Sequence, residues 1–551
     1  MNETDTRGRL SAAAVVLTGL AVLGGSLRAD EAVVAVIPQP VAVQAVGKPF
    51  VVAEETVLIA AGAARAEAEK LAAALAPAMG FALPIVEGDE PAGGSICLRL
   101  RDEHAAELGE EGYRLTATVE GILIEAAEPA GLFYGIQTLR QLLPAEIFAK
   151  EPVADVAWAV PGVEITDRPR FGWRGLLVDP ARHFLPKFQL LDFIDLMAVH
   201  KFNRLQLHLT DDQGWRIEIR KYPGLTDRGA WRDETLIGHL RDHPHEFDGR
   251  TYGGYYTQND IREIVQYAAE RHITIVPEIE MPGHARAAIS AYPHLGVFPE
   301  EQKGLRPWTR WGISEDIFAP REETIAFLQD VLLEVMELFP GTFIHIGGDE
   351  AVKAQWERSD EVQEMIRELG LADEAELQSW FVTRMDRFLA EHGRRLIGWD
   401  EILEGGLAPG AAVMSWRGEA GGITAAQAGH DVVMAPTSHT YLDYYQGPPT
   451  EEPLAIGGLI TLEHIYGYEP VPAVLTEDEA RHVLGAQAQL WSEYIPNYGH
   501  MQYMAFPRAA AMAEVTWSPP AGRDLGDFLD RLRRHLERLD ALEVNYRPLD
   551  P

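Results

Sequence analysis

Beyond Phe171 the chain alternates short apolar runs with longer amphipathic stretches. The runs Arg174–Val178, Arg204–Leu209, Thr274–Pro277, Thr342–Ile346, Arg395–Gly398, Ala412–Ser415, Asp431–Ala435 and Ala486–Leu490 read as buried strands. Apolar positions spaced three and four apart predict helices over Leu190–His200, Asn259–Arg271, Glu322–Leu338, Leu377–His392 and Gly422–Gly429. Strands interleaved with helices in this way predict an α/β fold, a (β/α)8 TIM barrel over residues 168–545. A long, poorly patterned insert, Gln446–Glu477, separates the last two strands. The chain before the barrel reads differently. Ala64–Ala76 is an Ala-rich helix that Pro77 should stop. Ile96–Leu100, Tyr113–Val119 and Ile122–Ala126 alternate as strands do, with Glu120-Gly121 turning between the last two, and Gly131–Leu143 follows as a helix. Residues 31–165 are therefore expected to form a small α+β domain in a supporting role.

In barrels of this class the active site lies at the C-terminal ends of the strands. The first strand runs into Asp179-Pro-Ala-Arg182-His183-Phe184, the second into Thr210-Asp211-Asp212-Gln-Gly-Trp215, and the third into Glu278-Ile-Glu280-Met-Pro-Gly-His284. The fifth gives Trp399-Asp400-Glu401, the sixth Trp416-Arg417, the seventh Tyr441-Leu-Asp443-Tyr-Tyr445, and the eighth Trp491-Ser-Glu493. Singly, each has a plainer account: a tryptophan in the core, His284 capping a helix, Arg182 in a surface ion pair, Asp211 as an N-cap. Together they place flat aromatic walls, suited to the apolar faces of a sugar ring, beside carboxylates and an arginine suited to its hydroxyls.

The fourth strand ends in Gly347-Gly348-Asp349-Glu350. Glycines let the backbone turn sharply at a strand end and present the two acids at the rim. Adjacent carboxylates repel, so one should keep its proton to a higher pH than the other. A neutral acid beside a charged one is the equipment for breaking a glycosidic bond. A solvated surface pair is the alternative for these two residues taken alone.

Size and charge narrow the field. A chain of 551 residues is too long for one ordinary core. With 48 basic against 84 acidic residues the net charge is −36, which argues against nucleic acid or an anionic membrane surface as a partner. The single cysteine, Cys97, excludes an intramolecular disulfide and a cysteine-based zinc site, and reads as a small buried apolar side chain. Arg7 and Arg9 precede an apolar run from Leu10 to Leu27, and polar residues resume at Arg28. That is the order of a secretory leader, with residues 1–29 removed by a cut after Ala29 and the protein exported to periplasm or medium. Gly19, Gly24, Gly25 and Ser26 weaken the alternative, an uncleaved anchor.

The segments His345-Ile-Gly-Gly-Asp349-Glu350, Asp179-Pro-Ala-Arg182-His183-Phe184, His208-Leu-Thr-Asp211-Asp212-Gln-Gly-Trp215-Arg216, Pro277-Glu278-Ile-Glu280-Met-Pro-Gly-His284 and Gly398-Trp399-Asp400-Glu401 resemble those of the β-N-acetylhexosaminidases of glycoside hydrolase family 20. The small preceding domain resembles the one that family carries. One departure is Glu280, where the family often has Asp; its extra methylene bears on the loop that carries His284. The resemblance implies an exo-acting, retaining enzyme that removes terminal β-linked GlcNAc and GalNAc through an oxazolinium intermediate, without cofactor or metal. It implies Glu350 as acid then base, Asp349 as orienter and stabiliser of the acetamido group, and Tyr441 as donor to its oxygen. Trp399, Trp416 and Trp491 would wall the pocket, Arg182, Asp443 and Glu493 would bind hydroxyls, and Asp211 with His284 would tune Glu350. The partner is then a small molecule or glycan ending in N-acetylhexosamine, with no nucleic acid and no membrane partner beyond an uncleaved leader.

Two other readings stay open on the residues. His208, Asp211, Glu278, Glu280, His284 and His345 could be metal ligands at a barrel mouth, giving a metal-dependent hydrolase. The barrel could also bind N-acetylhexosamine without cleaving it.

Overall fold

Parallel strands close into a barrel in chain order: Trp173–Val178, Arg204–His208, Thr274–Glu278, Phe343–His345, Arg395–Trp399, Ala412–Ser415, Val432–Met434 and Val483–Leu490. The first strand seals the ring against the eighth, in register from Trp173 opposite Gly485 to Val178 opposite Leu490. Helices between the strands include Lys187–Val199, Gln258–Ala269, Glu322–Leu338, Glu374–Glu391 and Ala420–Gln427. Covered on both faces, a strand such as Trp173–Val178 is buried along its whole length, which is why these runs read as continuous apolar segments. The eight expected strands are all present, with ends moved by up to three residues. This computed structural model describes residues 34–549, so the leader expected at 1–29 lies outside the described residues.

Trp173, Leu177, Val276, Ile397, Met414 and Val433 come from strands all round the ring and pack together inside it. A polar column also runs through this interior. Gln487 Nε2 donates to Gln206 Oε1 at 2.6 Å, and Gln206 Nε2 to Glu278 Oε2 at 2.8 Å. Each buried amide is paired, so the column links the barrel's centre to the end of the third strand without stranding a polar group.

Ahead of the barrel, one sheet has the order Ala42–Ala45, Val163–Asp167, Tyr113–Thr118, Gly121–Ala126, Ser95–Leu100, Val57–Ile59 and Ile85–Val86. Tyr113, Leu115 and Ala117 are buried and alternate with half-buried neighbours, as the period of two predicts. Helices Ala64–Met79 and Pro129–Leu142 pack against the sheet. The first of these corrects an expectation: it does not stop at Pro77 but ends at Gly80, whose left-handed φ of 74° closes the last turn. Pro77 removes only one late hydrogen-bond donor there, a loss the last turn tolerates. The insert Gln446–Glu477 is not wholly irregular, since it holds the short helix Leu462–Tyr466. Cys97 is buried and free.

The small sheet is joined to the barrel by buried charge. Asp167 accepts from Lys201 Nζ at 2.9 Å, Tyr113 Oη at 2.6 Å and Trp517 Nε1 at 2.9 Å. Replacing one partner of such a group leaves the other charged and dry, so the joint is strong only while complete.

Candidate active site

The fourth strand delivers the acid pair through a turn that only glycine fits. Gly347 and Gly348 have φ of 65° and 91°, and a Cβ on Gly347 would lie 1.8 Å from Glu280 Oε2. Glu350 and His284 each adopt φ of 47°, rarely occupied by residues with side chains. The turn sets Asp349 inward and Glu350 further out, their side chains 13% and 34% exposed. His284 Nε2 lies 3.6 Å from an oxygen of each.

Behind His284 stands a chain of fixed charges. Its Nδ1 is 3.1 Å from Asp211 Oδ1, while Asp211 Oδ2 takes a bond from His208 Nε2 at 2.8 Å and an ion pair with Arg182 Nη2 at 2.7 Å. His208 Nδ1 donates to Glu278 Oε2 at 2.7 Å. Burial disfavours every one of these charges, and mutual pairing overcomes it. The Arg182, His284 and His208 cations hold Asp211 well below the usual carboxylate range, and Glu278 and Asp211 hold His208 up at about 10. Burial opposes the charge on His284 as well, yet Asp211, Asp212 and Glu350 keep its pKa well above the usual imidazole value. Burial, then the charges of Glu350 and Glu278, push Asp349 up to about 6 against the pull of His284.

The sugar-sized space is a cavity of about 320 Å³ lined by Arg182, Asp349, Glu350, Trp399, Trp416, Tyr441, Asp443, Trp491 and Glu493. Trp399 and Trp491 lie 5.7 Å apart between ring centres, and Trp416 stacks on Tyr441 at 6.4 Å and 28°. Tyr441 is held by backbone bonds on either side, Gln489 N to Thr440 O and Leu442 N to Gln489 O, both 2.8 Å. Burial and Asp443 raise its pKa well above that of a free tyrosine, so it presents a hydroxyl donor. Asp349 Oδ1 and both oxygens of Asp443 are buried without a hydrogen-bond partner. Such acceptors call for donors that a ligand brings.

Arg182 is largely committed within the protein, through Nε to Gln213 at 3.0 Å, Nη1 to Asp179 at 3.1 Å and Nη2 to Asp211. Guanidinium carries five N–H donors, so two remain for a ligand. The metal reading fits this donor set poorly: while both His208 nitrogens donate to carboxylates, that ring has no lone pair to give.

Every site residue expected from the sequence reaches this region: Asp211 and His284 stand behind the acid pair, and the others line the cavity. Sequence reasoning missed the groups that fix the aromatic walls. Trp399 Nε1 donates to Glu278 Oε1 at 2.8 Å, and Trp416 Nε1 to Glu401 Oε2 at 2.9 Å. It also missed a cap at the cavity mouth. There Leu240 N donates to Tyr494 Oη at 3.1 Å and the His239 ring stacks on Tyr494 at 4.9 Å. The strand-end position of Glu278 and Glu401 was the available signal, but it does not reveal what they bond.

Known proteins resemble this chain in sequence and in fold. Residues 171–520 match the family model for the glycosyl hydrolase family 20 catalytic domain, and residues 33–168 match domain 2 of that family. A β-hexosaminidase of Porphyromonas gingivalis is 47% identical over 514 residues, 93% of this chain but only 64% of that protein. A β-N-acetylhexosaminidase of Cellulomonas fimi is 34% identical over 513 residues, 91% of this chain and 93% of that one. Among solved structures, the family 20 exo-β-N-acetylglucosaminidase of Vibrio harveyi in complex with N-acetylglucosamine has a TM-score of 0.81 at 34% identity, covering 93% of this chain and 78% of its own. The β-N-acetylhexosaminidase of Streptomyces coelicolor has a TM-score of 0.80 at 33% identity, covering 94% and 97%. On both matches, over the small domain and the barrel alike, the chain belongs to glycosyl hydrolase family 20.

Proposed function

We propose that the protein is an exo-acting, retaining β-N-acetylhexosaminidase that cleaves terminal β-linked GlcNAc and GalNAc with the substrate's own acetamido group as nucleophile. The observation that carries this reading is the cavity in which Asp349 Oδ1 and both Asp443 oxygens lack partners beneath tryptophan walls. Acceptors without donors suit a ligand rich in O–H and N–H, and flat walls suit its ring faces. Relatives named β-hexosaminidase, and a neighbour holding N-acetylglucosamine, support the same substrate class.

The chemistry follows from position. Asp443 and Glu493 accept from sugar hydroxyls, and the two free N–H groups of Arg182 donate to them. Asp349 accepts the acetamido N–H, and the Tyr441 hydroxyl donates to its oxygen. Trp399, Trp416 and Trp491 fold the acetamido group beneath the ring, where alignment replaces a bimolecular encounter. Its oxygen forms a bond to the anomeric carbon as the glycosidic C–O bond breaks, and Glu350 gives its proton to the departing oxygen. The positive charge now on the acetamido group is stabilised by the Asp349 carboxylate. Water, losing a proton to Glu350, then attacks the anomeric carbon and expels the acetamido oxygen. Two inversions return the original configuration. The His284 imidazolium, fixed by Asp211, steadies both carboxylates between the steps.

Glu350→Gln should lower turnover of aryl N-acetylglucosaminides by roughly 100- to 10,000-fold, the usual range for removing a general acid. Substrates without the N-acyl arm should be left intact. Cleavage of those at a similar rate, or product of inverted configuration, would refute the reading. Metal removal separates the hydrolase alternative, since this mechanism keeps its rate after exhaustive chelation. The apolar run behind Arg7 and Arg9 supports an exported enzyme, to be tested by N-terminal sequencing of material recovered outside the cytoplasm.

A further inference from the structure

We infer that Glu401 is a positioning residue whose buried, sparsely compensated carboxyl fixes the Trp416 wall of the acyl pocket beside Asp349. The inference rests on the acetamido-assisted reading above and deepens it.

Two of the three tryptophan walls are pinned in the same way, by an indole N–H to a buried glutamate: Trp399 to Glu278 at 2.8 Å and Trp416 to Glu401 at 2.9 Å. The two glutamates differ in their surroundings. Glu278 is met by His208 Nδ1 at 2.7 Å and Gln206 Nε2 at 2.8 Å, so its charge is compensated. Glu401, 9% exposed, has one cation within 4 Å among the described residues: Arg417, whose Nε is 3.6 Å from Oε1. That guanidinium is already held by Asp400 at 2.5 Å and Glu404 at 2.8 Å.

The groups facing Glu401 are therefore mostly acidic. Asp400 comes from its own segment, Asp349 from the turn after the fourth strand, and Arg417 and Trp416 from the end of the sixth. Asp349 in turn faces His284, Glu350, Glu278, His208 and Glu280. Burial first, then the Asp349 charge, push Glu401 up to about 8. Two neighbouring carboxyls thus release their protons in sequence, Asp349 before Glu401. Between the two steps the pair holds one charge, on the residue that faces the acetamido group. A protonated Glu401 keeps a carbonyl oxygen for the Trp416 indole, so the wall stays pinned. Once Glu401 ionises, a second poorly compensated anion lies behind Trp416; it draws in water and loosens the wall.

The test compares wild type, Glu401→Gln and Glu401→Leu on an aryl N-acetylglucosaminide and its N-propanoyl analogue from pH 5 to 9. Gln keeps the acceptor and mimics the neutral acid, so below pH 7 it should turn over within about 3-fold of wild type, whereas Leu should lose about 10-fold or more in kcat. Leu should also discriminate less between the two acyl groups. The ratio of Gln variant to wild type in kcat/KM should be flat below pH 7 and rise above pH 8, because only wild type has the second proton to lose; taking the ratio cancels whatever titrates alike in both enzymes. A Leu variant as active and selective as Gln overturns the wall role. A ratio flat up to pH 9 overturns the charge role, and this second arm needs only the Gln variant should Leu fail to fold. Failure of wild type itself on the N-acetyl substrate would overturn the assigned reaction instead, so the two failures are told apart.

Discussion

Asp349 is half-buried, with one buried oxygen that has no protein partner, and lies beside Glu350. Burial and the Glu350 and Glu278 charges raise its carboxyl from 3.8 to about 6. The folded state therefore keeps a proton that the unfolded chain has released, and stability falls as pH rises through about 4 to 6, by on the order of 1–3 kcal/mol. Asp349→Asn removes that penalty. It should melt a few degrees above wild type at pH 7 and with it at pH 4, by scanning calorimetry. The same variant should lose most of its turnover, since an amide cannot balance the positive intermediate, and wild-type kcat/KM should climb through about pH 6 as Asp349 ionises. An Asn variant no more stable at pH 7 than at pH 4, relative to wild type, would mean the native site does not strain this carboxyl. Asp349 and Glu350 were legible in sequence because two glycines and two acids stand together at a strand end. The indole anchors were not, because Glu278 and Trp399 are 121 residues apart and meet only in the closed barrel.

The turn after the fourth strand shows what an element demands of its residues. Gly347 has a positive φ, and its missing Cβ is the space that the Glu280 carboxyl fills. Gly347→Ala would meet both obstacles and should destabilise by on the order of 2–4 kcal/mol, with turnover lost because Asp349 and Glu350 are re-aimed. Gly370 ends a helix at φ 69° with open space around it, so Gly370→Ala meets only the backbone penalty, about 1 kcal/mol, and should leave kcat unchanged. Urea unfolding and turnover of the two variants separate the contributions, and equal effects would show that crowding at Gly347 is relieved by movement of Glu280. The strands were legible at this scale because burial on both faces leaves an unbroken apolar run. The hairpin Leu236–Ile237 with Glu246–Phe247 was not, since each strand is only two residues and the loop is held by the remote Tyr494 and Ile456. Pro77 misled because its effect depends on where in the last turn it falls.

The seam between the small domain, the barrel and the last helix, Leu525–Ala541, contains a buried histidine pair. Arg538 Nη1 is 3.4 Å from His535 Nδ1, His535 Nε2 is 2.9 Å from His200 Nε2, and His200 Nδ1 is 2.7 Å from Leu196 O. Arginine only donates and a carbonyl only accepts, so one assignment satisfies the chain: each link donates to the next, from Arg538 to Leu196. Every ring nitrogen is then used and no place remains for another proton. Burial pushes His200 down to about 4, and burial with His200 and Arg538 pushes His535 well below the ordinary imidazole value. The unfolded chain takes up protons near pH 6.5 that the folded chain refuses, so stability is lost as pH falls from about 6.5 towards 4, about 3 kcal/mol from His200 alone. Arg538 also holds Ala35 O at 2.7 Å and Gln141 O at 2.6 Å, so the loss should fall on the seam. Hydrogen exchange, corrected for intrinsic rate, should accelerate in the last helix and in Pro129–Leu142 at pH 5 relative to pH 7, while the barrel strands stay protected. The double variant His200→Leu with His535→Leu should remove that difference between the two pH values. If the double variant keeps the wild-type acid response, the seam's sensitivity belongs to its carboxylates and not to this pair.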